Sequence, residues 1–177
     1  MNATDLRALL ARWAGIMADK RDWLIELDSV VGDSDLGLTM SDGFRAASEA
    51  ANACELTDVG KLCYQAGKAM ATAVPSTMGT LMASGLMNAG KVLKGMEQLT
   101  PAQEAQLFEA YLEGVKNRGK AELGDKTFLD GLAPAVQALA QAAQAGPIGA
   151  KEAQAAADAA WQAFENTRGM LAKHGRM

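Results

Sequence analysis

Apolar residues recur at helical spacing along almost the whole chain, and no stretch alternates apolar and polar for long enough to make a strand. The pattern begins with Leu6, Leu9, Leu10, Trp13, Ile16 and Met17. A short second helix carries Trp23, Leu24, Leu27 and Val31, with Asp28 near its end and Gly32 turning the chain. Thr39, followed three positions later by Asp42, predicts the start of a third helix bearing Met40, Phe44, Ala47 and Ala51. Further stripes run through Val59, Leu62, Cys63, Ala66 and Met70, then through Leu81, Leu86, Met87, Val92 and Leu93. Thr100-Pro101 is a strong start signal for a helix with Leu107, Phe108, Tyr111, Leu112 and Val115. Another helix follows Asp125 with Leu132, Val136 and Leu139, its first turn delayed or kinked by Pro134. After Gly146-Pro147 an Ala-rich helix carries Ala153, Ala160, Trp161, Phe164 and Leu171 and ends near His174-Gly175. The expectation is an all-α fold of about seven to eight helices, an antiparallel bundle or helical barrel, because short connections make sequential helices antiparallel neighbours.

With 177 residues, 49% of them hydrophobic, the chain has enough apolar side chains for one substantial core, and a single domain over 1–177 is expected. A formal net charge of -4, with Lys and Arg scattered, argues against nucleic acid or an anionic membrane as partner. No run approaches the roughly 18 uninterrupted apolar residues of a membrane span, and the N-terminus carries Asp5, Arg7 and Arg12. Cys54 and Cys63 are the only cysteines, inside helical patterns, so reduced thiols and a cytoplasmic setting are expected. The ten methionines read as flexible core filler.

The densest chemistry lies in Leu27-Asp28-Ser29-Val30-Val31-Gly32-Asp33-Ser34-Asp35-Leu36-Gly37, where Asp28, Asp33 and Asp35 converge around a glycine bend with no Lys or Arg between them. Carboxylates held together repel, and protonation, a basic partner or a metal ion relieves them. With oxygen donors and neither Cys nor His in the segment, a hard cation such as Mg²⁺ or Ca²⁺ suits better than zinc. An Asx-rich turn whose acids cap the next helix explains the same residues structurally. An EF-hand loop starting at Asp33 is excluded, because its sixth and twelfth positions hold Leu38 and Phe44 instead of Gly and Glu. The Asp-x-Asp of a haloacid-dehalogenase-like phosphatase is disfavoured by Gly37, where that motif prefers Thr, and by the lack of strands.

Two other connectors are rich in polar and small residues. Val74-Pro75-Ser76-Thr77-Met78-Gly79-Thr80 opens a helix with residues whose amides suit a phosphate, and Arg118-Gly119-Lys120-Ala121-Glu122-Leu123-Gly124-Asp125-Lys126-Thr127 is the second. Capping and turn formation account for Ser76, Thr77, Gly79 and Asp125 without any ligand.

In this order the three segments resemble the nucleotide-binding (L) subunit of dihydroxyacetone kinase, through Leu-Asp-x-x-x-Gly-Asp-x-Asp-x-Gly and Arg-Gly-Lys-Ala-Glu-x-Gly-Asp-Lys-Thr over essentially the whole chain. The resemblance implies an antiparallel helical barrel whose aspartates, here Asp28, Asp33 and Asp35, hold a pair of Mg²⁺ ions against the phosphates of ADP or ATP. It places nucleotide contacts at Leu36, Gly37, Leu38, Thr39, Thr77, Met78, Gly119, Phe128 and Arg176. It also implies a kinase that works only with a partner: a K subunit presents a small ketose through a histidine, and in many members a phosphotransferase-system subunit recharges the bound ADP. A non-catalytic binding or regulatory relative that keeps the barrel is the alternative, and a homo-oligomer is compatible with either.

The pattern is not matched everywhere. Leu36 and Thr39 stand where the family usually has His and Asn, and Pro75-Ser76-Thr77-Met78 precedes Gly79 where it has Gly-Gly-Ala/Thr-Ser. Pro75 lacks an amide donor, and Met78 replaces a phosphate-facing hydroxyl. The family's Asp-Pro-Gly loop would follow His174-Gly175-Arg176-Met177, so the resemblance implies a shortened cover over the nucleotide. His174, the only histidine, is expected at a helix end, where a cation is favourable.

Overall fold

The computed structural model describes residues 1–175. Eight helices account for the regular structure of these residues: α1 (Ala3–Asp19), α2 (Arg21–Asp28), α3 (Leu36–Asn52), α4 (Val59–Ala73), α5 (Thr77–Val92), α6 (Pro101–Gly119), α7 (Phe128–Ala145) and α8 (Ala150–Asn166). No strand occurs among them, only an isolated bridge between Asn2 and Gln98. The all-α expectation therefore holds.

Side-chain caps fix most of the starts. The Asn2 side chain accepts from the Asp5 amide at the head of α1, and the Asp5 carboxylate accepts from the Asn2 amide in return. Thr100 and Gln103 make the same reciprocal pair before α6, as do Thr127 and Asp130 before α7. Asp58 caps α4 by accepting from the Lys61 amide at 2.9 Å, and its other oxygen accepts from the Gly95 amide at 2.9 Å, tying α4 to the α5–α6 connection. Burial works against its charge, yet the backbone donors, with Lys61 nearby, hold its carboxyl below the usual range.

The interior is built from the predicted stripes. Leu6, Leu10, Leu62, Met70, Met82, Leu86, Leu93 and Leu107 are almost completely buried, with Ala47, Ala51, Ala66, Ala83 and Ala89 letting the helices approach closely. Trp13 of α1 reaches across to set its ring edge-on to Phe44 of α3 and Phe108 of α6. Helices pack in sequence order around this core, from α3 through α8, with α1 and α2 on α3. The α2–α3, α4–α5 and α6–α7 connections share one end, because each short turn reverses direction. Contacts of the Met1 amino group with Leu99 and Glu104 lie at the other.

Several sequence expectations are corrected. Helix α3 begins at Leu36, so Thr39 lies one turn inside it and is buried. Val31 falls beyond α2, and α2 buries none of its residues: Trp23 and Leu27 are exposed, as are Ile16 and Val92 elsewhere. Pro134 sits inside α7 instead of in its first turn. Helix α8 stops at Asn166, and Trp161, Phe164 and Leu171 are exposed, because among the described residues α7 is the only helix that α8 packs against.

Both cysteines are free thiols, Cys63 buried and Cys54 partly exposed. Burial pushes the Cys63 thiol up to about 12. Labelling with a thiol reagent at neutral pH is expected to consume Cys54 alone until denaturant is added, as counted by mass spectrometry.

Candidate functional site

The Asp28–Asp35 turn is shaped by close approach. The Gly32 amide donates to the Asp28 carbonyl at 2.6 Å, and a Cβ on Gly32 would fall 2.0 Å from Asp28 Oδ1. Only glycine fits beneath that carboxylate. Ser34 follows with φ of 64°, a left-handed conformation that β-carbon residues seldom adopt. Asp28 Oδ2 accepts from the amides of Asp35 at 3.0 Å and Leu36 at 3.3 Å, so Asp28 supplies the cap that α3 lacks from its own N-cap residue. The capping explanation is therefore real for one oxygen of Asp28. Even so, one carboxylate oxygen from each of Asp28, Asp33 and Asp35 lies within 4.8 Å of the others, with Asp33 and Asp35 exposed. This all-oxygen donor set suits Mg²⁺ or Ca²⁺.

Buried Thr39 links this cluster to the α4–α5 connection: its hydroxyl donates to Ser76 Oγ at 3.1 Å, and Ser76 Oγ accepts from the Gly79 amide at 3.0 Å. Ser76 thus caps α5 while held to α3. Beyond it opens a cleft of about 600 Å³, walled by Pro75, Ser76, Thr77, Met78, Thr80 and Leu81 on one side. Arg118, Gly119, Ala121, Lys126, Thr127 and Phe128 line the other, and His174 and Gly175 close one edge.

The α6–α7 loop owes its shape to carboxylates. Asp130 takes the amides of Gly124 and Thr127, and Asp125 takes that of Glu122 at 2.8 Å. Lys120, Gly124 and Lys126 have positive φ. The 173–175 segment folds back onto this loop: Lys173 Nζ donates to Asp125 Oδ1 at 2.7 Å, and His174 Nε2 lies 3.2 Å from Oδ2. Lys173, first among several donors, holds the Asp125 carboxyl down at about 2, below its ordinary 3.8. A lowered carboxyl contributes stability that is complete above pH 3.8 and lost as pH falls towards 2. Acid titration in that window is expected to release the 173–175 segment in the native protein, followed by the His174 ring resonances, and Asp125→Asn is expected to remove the transition.

Thr77, Met78, Gly119 and Phe128 line one cleft, whereas Leu36, Gly37, Leu38 and Thr39 form the head of α3 outside its lining, with Thr39 bonded to Ser76 on the cleft wall. Arg176 lies outside the described residues. Ser76, Arg118, Lys126 and Thr127 also line the cleft, though the resemblance places no contact at them, and His174 is not at a helix end but on Asp125. The capping signal of Thr127 and Asp130 was legible; the pairing of His174 across 49 positions had no local signature. A cleft of similar size, about 610 Å³, lies around Asn2, Arg7, Cys54 and Glu97. Its Arg7 donates to the carbonyls of Ala51, Cys54 and Leu56, which makes it a clamp on the end of α3.

Comparison with known proteins adds an independent line. The DAK2 domain model matches residues 30–177. The ADP-binding subunit DhaL of the PEP-dependent dihydroxyacetone kinase of Escherichia coli (strain K12) is 30% identical over 176 residues, covering 99% of this chain and 84% of that protein. The L-erythrulose 1-kinase of Mycolicibacterium smegmatis is 32% identical over 98% of this chain, which spans only 30% of that protein. Among solved structures, the dihydroxyacetone kinase of C. freundii in its native form superposes with a TM-score of 0.67 at 20% identity, over 92% of this chain and 34% of that one. At that identity the likeness concerns the fold.

Proposed function

Because this chain belongs to the DAK2 domain family, we propose that it is the nucleotide-binding subunit of a dihydroxyacetone-type kinase, holding Mg²⁺-ADP or Mg²⁺-ATP and acting on a small ketose presented by a partner K subunit. The observation that carries this reading is the continuity of aspartate cluster and cleft through Thr39 and Ser76. Asp28, Asp33 and Asp35 are the residues to hold the metal, which when bound would neutralise the β- and γ-phosphates that bare carboxylates repel. Asp28 also fixes the head of α3, which keeps the three carboxylates in register. Thr77 and the start of α5 face the cleft with a hydroxyl and helix-end amides suited to phosphate oxygens. Arg118 and Lys126 add positive charge on the opposite wall. Met78, Leu81 and Phe128 give that cleft an apolar portion, suited to a base.

Phosphoryl transfer asks for positioning and charge neutralisation more than a covalent protein group, so a site without a local His base is sufficient. The relatives named as PEP-dependent or PTS-dependent ADP-binding subunits support a resident nucleotide recharged by a phosphotransferase protein. The relatives named L-erythrulose kinases support a ketose other than dihydroxyacetone as an equal candidate. Pro75 and Met78 on the cleft wall favour a second reading, a relative that binds a partner without catalysis. Calorimetric titration with ADP and Mg²⁺ separates the two: micromolar or tighter, Mg²⁺-dependent binding supports the kinase subunit, and no binding by the intact protein supports the other. Sugar phosphorylation assayed with a K subunit then tests catalysis.

A further inference from the structure

We propose that Asp125 is a positioning residue for the cleft: its two carboxylate oxygens latch the segment carrying Lys173 and His174 across the cleft edge, and this latch sets how fast a bound nucleotide leaves. The proposal rests on the nucleotide reading above. Asp125 is 5% exposed at the base of the α6–α7 loop, and each of its oxygens meets a side chain from the far end of the chain, Oδ1 with Lys173 and Oδ2 with His174. Its carbonyl also accepts from the Lys173 amide at 3.1 Å, so the two strands of chain are held by backbone as well as side chain.

Among the described residues, every hydrogen bond of residues 171–175 is made to Asp125. Helix α8 ends at Asn166 and, among the described residues, packs on α7 alone, and Leu171 beyond it is 84% exposed. These polar contacts with Asp125 hold the segment at the cleft, where His174 and Gly175 become part of the wall. The side chains of Lys173 and His174 are 63% and 46% exposed, so water competes for both, and the latch opens far more readily than a buried ion pair. Closed, it narrows the mouth beside Thr127 and Phe128; open, it leaves that side to solvent.

A purely local role for Asp125, holding the Glu122 amide, predicts no effect from changes at the other end of the latch. The test therefore uses Lys173→Met combined with His174→Ala, which leaves the α6–α7 loop intact, alongside Asp125→Asn. Release of N-methylanthraniloyl-ADP is followed by stopped-flow fluorescence with Mg²⁺ present, and amide hydrogen exchange is followed over residues 170–175. The expected result is faster exchange there and release accelerated about tenfold in both variants, with Lys173→Arg close to the unmodified protein. Unchanged exchange overturns the latch. Faster exchange with unchanged release overturns its control of the nucleotide while the proposed function stands. Failure of the unmodified protein to bind the analogue overturns the nucleotide reading and the release claim with it, whereas the exchange result still decides whether the segment is latched.

Discussion

Asp33→Asn is expected to weaken Mg²⁺-dependent ADP binding by more than about a hundredfold while leaving the fold intact. The asymmetry follows from where Asp33 stands. It is exposed in the α2–α3 turn, away from the buried stripes that hold the helices together, so its loss removes no core contact. Asparagine keeps the shape and one oxygen but deletes a unit of negative charge from a group of three acids whose oxygens lie within 4.8 Å of one another. A hard cation loses both a charged ligand and part of the field that draws it in. Calorimetry with and without Mg²⁺, paired with a thermal melt, checks both halves. Binding that survives in Asp33→Asn at the affinity of the unmodified protein would falsify the role given to the cluster. Asp28→Asn is a harsher change, since Asp28 Oδ2 also holds the amides of Asp35 and Leu36 at the head of α3.

Gly37→Ala carries the second large effect, through geometry instead of charge. A Cβ at Gly37 would stand 2.1 Å from the Arg21 carbonyl oxygen and 2.8 Å from Ile25 Cγ1, so α2 must move off α3 to admit one methyl group. Helix α2 has no buried residue to resist that movement, and alanine favours the helical backbone of α3 by roughly 1 kcal/mol over glycine, so stability should change little. Asp28 ends α2 and is drawn with it, stretching its bonds to the Asp35 and Leu36 amides, while Asp35 stays at the head of α3. A displacement near an ångström at such a site costs on the order of a hundredfold in function. The expected outcome is a protein that melts near the temperature of its parent yet binds Mg²⁺-ADP weakly. A melt lowered by tens of degrees, or full affinity, would show that α2 is not the movable support inferred from its contacts.

The stripes legible in the sequence were those that end inside the core. Val59, Leu62, Cys63, Ala66 and Met70 repeat at helical spacing and all are buried, and Thr100-Pro101 began its helix where expected. Failures fell at the margins. Trp23, Leu27, Trp161 and Phe164 share the same spacing but face solvent, because periodicity says which residues lie on one side of a helix and not whether another helix covers that side. Thr39 reads as a cap because hydroxyl residues so often are; Asp28, from the preceding helix, supplies the cap instead and moves the start back to Leu36. Of the candidate site, the aspartates and both loops were visible as motifs. That the α4–α5 and α6–α7 loops face each other across one cleft, with the aspartates outside its lining, had no signature in the spacing of their residues.

Local chemistry along the chain determined the helices and the turn that gathers three aspartates, since each depends on residues a few positions apart. Tertiary structure alone decided that Thr39 meets Ser76, that Asp125 receives Lys173 and His174, and that α8 is left with a bare apolar face. These contacts join residues 37 to 49 positions apart. The physical reason is that such pairings are selected by how whole helices pack, and the free energy of that packing resides in the shared core and not in the residues that happen to meet at its edge.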